Sequence, residues 1–236
     1  MQEQQHTLHQ YNEEIEDIKN SIIKMGSLVE SQVKNAIKSL VKTNMKLASE
    51  VTNFDEKINK MEVEIDNKCT QIIVKRQPAA GDLRLIVTIM KIVTDLERIG
   101  DESKNIAEYT VKLIKKNEDT ELYNELTDFG NKVRIILSNS LEAFTRMDLT
   151  QAINNMNKST KIDDEFNKIS RILITYMMED SKNIKNILRV TWCARALDRI
   201  GSHANNLNQY IVYLIKGDDV RHISNKKITK RYINKK

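Results

Sequence analysis

Residues 95–109 read DLERIGDESKNIAEY, and residues 196–210 read ALDRIGSHANNLNQY. The second phrase repeats the first 101 positions later, so that Glu97 falls on Asp198, Gly100 on Gly201, Asn105 on Asn206 and Tyr109 on Tyr210. Extended backwards, the same alignment brings Asp82 onto Asn183. Both side chains suit the open N–H groups at the start of a helix. A glycine inside a helix costs about 1 kcal/mol relative to alanine. A chain with only six glycines that places two at the same point of a repeated phrase implies a repeated reason, most simply the close approach of a neighbouring helix.

The rest of the chain repeats with the phrase. Ile15, Ile18, Ile22, Met25, Val29, Val33, Ala36 and Leu40 step by threes and fours, the apolar stripe of a long bundle helix. It predicts a first helix over about residues 10–46. Val51, Phe54, Ile58, Met61, Ile65, Cys69 and Ile72 make a second stripe. It stops near Arg76, because Pro78 disfavours helix in the residue before it. A third helix runs from about Gly81 to Lys116. Then the scheme restarts. Leu122, Leu126, Phe129, Val133, Ile136, Ser140, Phe144 and Met147 form a fourth stripe, and Met156, Ile162, Phe166, Ile169, Leu173 and Tyr176 a fifth. The sixth helix spans about 183–216. The expectation is an all-α chain of two tandem pseudo-symmetric three-helix bundles, end to end or side by side. The first covers residues 1–117 and the second 118–217, with a flexible basic tail over 218–236. One Pro and six Gly in 236 residues leave too few turns for a β protein.

Composition narrows the function. The net charge is +5. Residues from Gly217 onward hold seven Lys/Arg and two Asp. The tail therefore carries the whole excess, and the body is neutral; the ordinary use of such a tail is a solvated terminus, and the alternative is contact with a membrane surface or an acidic partner. A neutral body argues against a nucleic-acid-binding face. No run of about 18 apolar residues spans a bilayer, and the start MQEQQHTLHQYNEEIEDIK lacks the basic and apolar regions of a secretory signal. Cys69 and Cys193 lie far apart without CxxC spacing, which fits a reducing compartment. Together these predict a cytoplasmic protein whose contact with membranes is only through partners. No P-loop, GxGxxG or Ser-His-Asp order is present. The four histidines do not form the ExxH pairs of a di-iron oxidase.

The chemistry-bearing residues lie on the repeated phrase and on the helix before it. Residues four apart share a helix face. Glu97 and Asp101 are so spaced, as are Asp55 and Asn59, with Glu62 next along. If the second and third helices are antiparallel neighbours, these oxygens converge into a candidate site for a hard or borderline divalent cation. In the second half Asp163 and Asp198 remain, but Ser159 and Ser202 stand where the first half has Asp55 and Asp101, so a second site would be weaker. The ordinary use of such carboxylates is a solvated face, or pairing with the adjacent Arg98 and Arg199. The repetition favours a site.

KRQPAAGDLRLIVTIMKIVTDLERIGD (75–101) resembles the first signature of the PhoU family, accessory regulators of phosphate-specific transport. FDEKINKMEVEID (54–66) looks like the helix before that signature, and NSIIKMGSLVESQV (20–33) is similar to the family's first-helix pattern. FNKISRILITYMMED (166–180) and ARALDRIGSHANNLNQYIVYLIKGDDVRH (194–222) look like the second repeat. The resemblance covers residues 8–222. It implies two three-helix repeats, a homodimer, and metal ions (iron, zinc, manganese or magnesium) at acidic motifs on the second and third helices of each repeat. It also implies action without catalysis. The partners would be the ATP-binding subunit of the phosphate ABC transporter and the phosphate-sensing histidine kinase, and the effect would be negative regulation of uptake and of the phosphate-starvation response. Carried over residue by residue, the resemblance keeps Asp55, Glu97 and Asp101, with Asn59 where an acid can stand, and Asp163 and Asp198 in the second repeat; the spacing on the second helix adds Glu62 to the metal set. A metal-binding helical scaffold without a regulatory role, or one with no ligand, is the alternative.

Overall fold

The apolar stripes become buried helix faces. The computed structural model describes residues 2–115 and 121–234, and every element among them is helical. Helix α1 (Gln2–Val41) buries Ile18, Ile22, Met25, Val29, Val33, Ala36 and Leu40. Helices α2 (Met45–Arg76) and α3 (Ala80–Ile114) complete the first repeat. Helices α4 (Glu121–Arg146), α5 (Leu149–Glu179) and α6 (Ile184–Lys216) form the second, with a 3₁₀ turn at Ser181–Asn183 before α6. A short α7 (Asn225–Tyr232) follows. The expected boundary at 117/118 lies outside the described residues.

The repeat extends to the turns. A shift of 104 residues carries Asn44 onto Asp148, and Thr43 onto Met147. Thr43 and Met147 both adopt the left-handed region, with φ of 46° and 51°. Asn44 accepts a hydrogen bond from Leu47 N at 3.0 Å, and Asp148 one from Gln151 N at 2.9 Å. Asn44 N also donates to Ser39 O, and Asp148 N to Ala143 O, each at 2.9 Å. These are helix-ending Schellman-type bonds followed directly by a new N-cap. They end α1 at Val41 rather than near Lys46. The periodicity of apolar residues does not register a cap, so it ran on.

The repeats lie side by side and share one core. Helices α3 and α6 pack against each other along their lengths, α1 packs on α4, and α2 and α5 flank their own repeats. The apolar cluster runs without a break through all six long helices. Cross-seam contacts pair Asp95 with His203, Glu102 with Arg199 and Tyr109 with Trp192. As one partner's number rises the other's falls, so α3 and α6 are antiparallel.

Glycines stand at the close approaches. A Cβ on Gly100 would lie 3.3 Å from Ile58 Cγ2, and one on Gly201 3.0 Å from Ile162 Cγ2. Ile58 and Ile162 occupy the same position of the two repeats. The expected reason for the mid-helix glycines is therefore the observed one. A second pair was not read from the sequence. Gly26 faces Leu141 on α4, and Gly130 faces Ile37 on α1. These are again equivalent positions, now across the seam between repeats.

The tail differs from expectation. Gly217 caps α6 in the left-handed region at φ 78°, and the chain turns back onto α5. Val220 and Ile228 are buried with Ile153, Met156 and Val212 in a second small core. Asn157 Nδ2 donates to Thr229 Oγ1 at 3.0 Å, and Asn225 Nδ2 to Met156 O at 2.9 Å. Charge dominates this segment's composition, yet Val220 reaches this small core from the loop and Ile228 from one face of the short helix. Residues 217–234 are thus docked, and not a flexible tail; Lys235 and Lys236 lie outside the described residues.

Gly100→Leu and Gly201→Leu each force side-chain volume into a filled helix contact, and each should cost about 1–3 kcal/mol. Gly81→Leu meets open space and serves as the control. Thermal melts should separate the first two from the third.

Candidate functional site

The third helix brings Glu97 and Asp101 beside α2 because Gly100 lets the two backbones approach at Ile58. In this antiparallel register, Asp55 lies one turn before Ile58 and meets Lys104, one turn after Gly100. Lys104 Nζ sits 2.9 Å from Asp55 Oδ2, and the Asp55 side chain is only 3% exposed. Asn59 Nδ2 donates to the same oxygen at 3.4 Å. Asp55 Oδ1, Asn59 Oδ1 and Asp66 Oδ1 are buried without hydrogen-bond partners.

Around this pair the acids raise one another. Glu97 is pushed up to about 7, first by burial and then by Asp101, Glu62 and Asp55, against a small opposing effect of Arg98. Glu62 is raised by burial and by Asp66 and Asp101. Asp101, on the exposed rim, is raised by partial burial and by Asp55, while Lys104 lowers it. Asp66 is raised by burial. Asp55, Asn59, Glu62, Glu97 and Asp101 are thus gathered along one α2–α3 face. Asp66 and Lys104 join them and were missed. Asp66 continues the four-residue spacing from Glu62, a signal present in the sequence. Lys104 had no such signal, because a lysine on a charged helix has many ordinary partners.

The acids feel one another but are not assembled as ligands. Among the described residues, no group of three or more His, Cys, Asp or Glu side chains is placed to hold a metal ion. The donors fit a hard cation in chemistry: carboxylate and amide oxygens, several unpartnered, with carboxyl groups whose ionisation is opposed by burial and by their acidic neighbours. Lys104 is the positive charge already there.

In the second repeat the same positions carry neutral groups. Asn205 aligns with Lys104 and Ser159 with Asp55. Ser159 Oγ donates to Asn205 Oδ1 at 2.8 Å. The ion pair of one repeat is a neutral hydrogen bond in the other, at the same place and nearly the same length. Asp198 is held by Arg195 at 3.0 Å and is raised mainly by burial, with Arg195 lowering it and Asp163 raising it. Asp163 is exposed. A cleft of about 370 Å³ lies here, lined by Ser159, Asp163, Gly201, Ser202, Asn205 and Asn225 among others. Asp163 and Asp198 are therefore near each other but thinly supported.

Arg98 and Arg199 do not neutralise the neighbouring acids Glu97 and Asp198. Arg98 lies 4.0 Å from Asp95, and Arg199 reaches across the seam to Glu102 at 3.0 Å. Asp95 also holds His203 at 2.7 Å. Both arginine side chains are more than half exposed, and Arg98 lowers Glu97 and Glu62 without offsetting the burial and neighbouring acids that keep both raised.

Removing one partner of a fully buried ion pair costs about 3–5 kcal/mol. Lys104 is a third exposed, so Lys104→Asn should cost less, about 2 kcal/mol, by stranding Asp55. Adding Asp55→Ser installs the second repeat's neutral pair and should recover most of that loss. Urea unfolding of the two singles and the double measures the coupling.

Comparison with known proteins agrees with this architecture. A family model described as the PhoU domain matches residues 22–110 and 126–211, once per repeat. The chain is 42% identical to a phosphate-specific transport system accessory protein PhoU homolog from Pseudomonas putida, over 95% of this chain and 88% of that protein. It is 38% identical to the phosphate-specific transport system accessory protein PhoU of Escherichia coli (strain K12), over 95% and 93% of the two chains. The crystal structure of PhoU from Pseudomonas aeruginosa superposes with a TM-score of 0.86 at 40% identity, covering 88% of this chain and all of that one. The phosphate transport system regulatory protein PhoU from Streptococcus pneumoniae superposes with a TM-score of 0.82 at 27% identity, over 89% and 99%.

Proposed function

Because the chain belongs to the PhoU family, we propose that it is a cytoplasmic negative regulator of phosphate uptake and of the phosphate-starvation response. The carrying observation is the likeness to accessory proteins of phosphate-specific transport over nearly the whole chain. Among the described residues no helix is long and apolar enough to cross a membrane, so the reading calls for action by contact. The proposed contacts are the ATP-binding subunit of the phosphate transporter and the sensor histidine kinase, met by a homodimer. Regulation requires that the protein bind two states of a partner unequally, since equal affinity shifts nothing. Deleting the gene should switch on phosphate-starvation genes in phosphate-rich medium, and restoring the full chain should silence them. Reporter transcripts that stay low in the deletion strain would overturn the regulatory reading.

A second reading, metal binding at the first repeat, is favoured by the crowded carboxylates and unpartnered oxygens of Asp55, Asn59 and Asp66. The proposed ligands are Asp55, Asn59, Glu62, Glu97 and Asp101, with a weaker set at Asp163 and Asp198. A cation there would offset the burial and the neighbouring acids that push Glu97 up to about 7, and would compete with Lys104 for Asp55. Iron, zinc, manganese or magnesium ions should therefore raise the melting temperature. Glu97→Gln combined with Asp101→Asn should abolish the rise, and Asp198→Asn should leave most of it. Melting curves with and without each ion decide this independently of any regulatory assay.

A further inference from the structure

The excess charge of this protein lies in its last segment, and Lys226, Lys227, Lys230 and Arg231 of that segment stand on the docked helix α7. The body is neutral, and the segment from Gly217 carries the entire net +5. Its two acids are already engaged. Asp219 holds Arg221 at 3.0 Å, and Asp218 accepts from Tyr232 and pairs with Arg231 at 3.1 Å. Lys226, Lys227 and Lys230 are exposed, and no carboxylate pairs with them among the described residues.

The arrangement is directional. On α7, Asn225, Ile228, Thr229 and Tyr232 make up the docking side, through the contacts to Met156, Asn157 and Asp218 and the buried Ile228. At 100° per residue, Lys226, Lys227, Lys230 and Arg231 fall on the opposite arc. The arc is thus held in a fixed orientation by the body, and its apolar face is spent on α5. It lies outside the residues matched by the family model.

The chemistry of the arc selects its occupant. Protein interfaces favour aromatic and arginine anchors and are depleted in lysine. Single-stranded nucleic acid asks for exposed aromatic side chains on which bases stack, and duplex DNA for a longer basic stripe. This arc shows three lysines, its one arginine, Arg231, is already paired with Asp218 at 3.1 Å, and no exposed apolar or aromatic side chain stands among them. Lysine ammonium groups are mobile point charges, suited to a diffuse array of negative groups. With its apolar face buried, α7 cannot insert as free amphipathic helices do. We propose that α7 is a peripheral docking face for an anionic lipid surface, bound electrostatically and without insertion. This is a direct membrane contact, the less ordinary of the uses a basic tail offers, where the expectation is contact through partners.

The test is co-sedimentation of the full chain with phosphatidylcholine vesicles, with and without about one-third phosphatidylserine. Binding to the anionic vesicles should exceed binding to neutral ones by at least about tenfold, and should vanish as salt shortens the screening length to about 3 Å near 1 M. The triple change Lys226→Glu, Lys227→Glu, Lys230→Glu should remove it without altering the melting temperature, because these side chains are exposed and form no ion pair among the described residues. The triple change Lys57→Glu, Lys60→Glu, Lys68→Glu on α2 alters net charge equally and should leave most of the binding. Equal binding to neutral vesicles, equal loss in both triple variants, or retention by an acidic protein or DNA column with no vesicle binding would each overturn the proposal. The gene-deletion phenotype is unaffected by any of these outcomes.

Discussion

Two helices approaching closer than ordinary side chains allow set the geometry of each repeat. Gly100 admits Ile58, and Gly201 admits Ile162. Because the helices are antiparallel, that contact fixes what meets one turn to either side. In the first repeat it is Asp55 and Lys104, and in the second Ser159 and Asn205. The glycines are costly in helix propensity, and what they return is register. A bulkier residue would part the helices and separate both pairs.

On this common scaffold the repeats have diverged in charge. The first keeps a buried ion pair inside a crowd of acids, with Glu97 pushed up to about 7. The second replaces both members of the pair with neutral groups and opens a polar cleft beside them. Changing the acid alone would strand a lysine, and changing the lysine alone would strand an acid. The joint exchange leaves every buried group partnered. The seam shows a similar break in symmetry. His203 stands where the first repeat has Glu102, so Asp95 takes the histidine while Glu102 takes Arg199.

The second repeat also carries α7, which closes over α5 with a small core of its own. One end of the molecule is therefore basic and ordered, while the α2–α3 face at the other repeat is acidic. A neutral average conceals two local fields of opposite sign. Each is short-ranged at physiological salt, where screening acts over about 8 Å.

The six long helices and their pairing into repeats were legible in the sequence, because burial of one helix face imposes a local period that every stripe displays; the short α7 was not. Gly100 and Gly201 were legible as close contacts, since a repeated cost within a helix needs a repeated neighbour. The acids of α2 and α3 were legible from four-residue spacing. Other features belong to the tertiary structure alone. Gly26 meets Leu141 and Gly130 meets Ile37, partners far apart in sequence, and nothing local says that α1 meets α4. Lys104 lies within helical reach of Asp101 and Glu108, so only packing could give it to Asp55. The basic tail read as solvated because its charges outnumber its apolar residues. It is docked because Val220 and Ile228 find the exposed flank of Ile153, Met156 and Val212. Local periodicity declares which face of a helix is buried; the partner that buries it is decided only when distant segments meet.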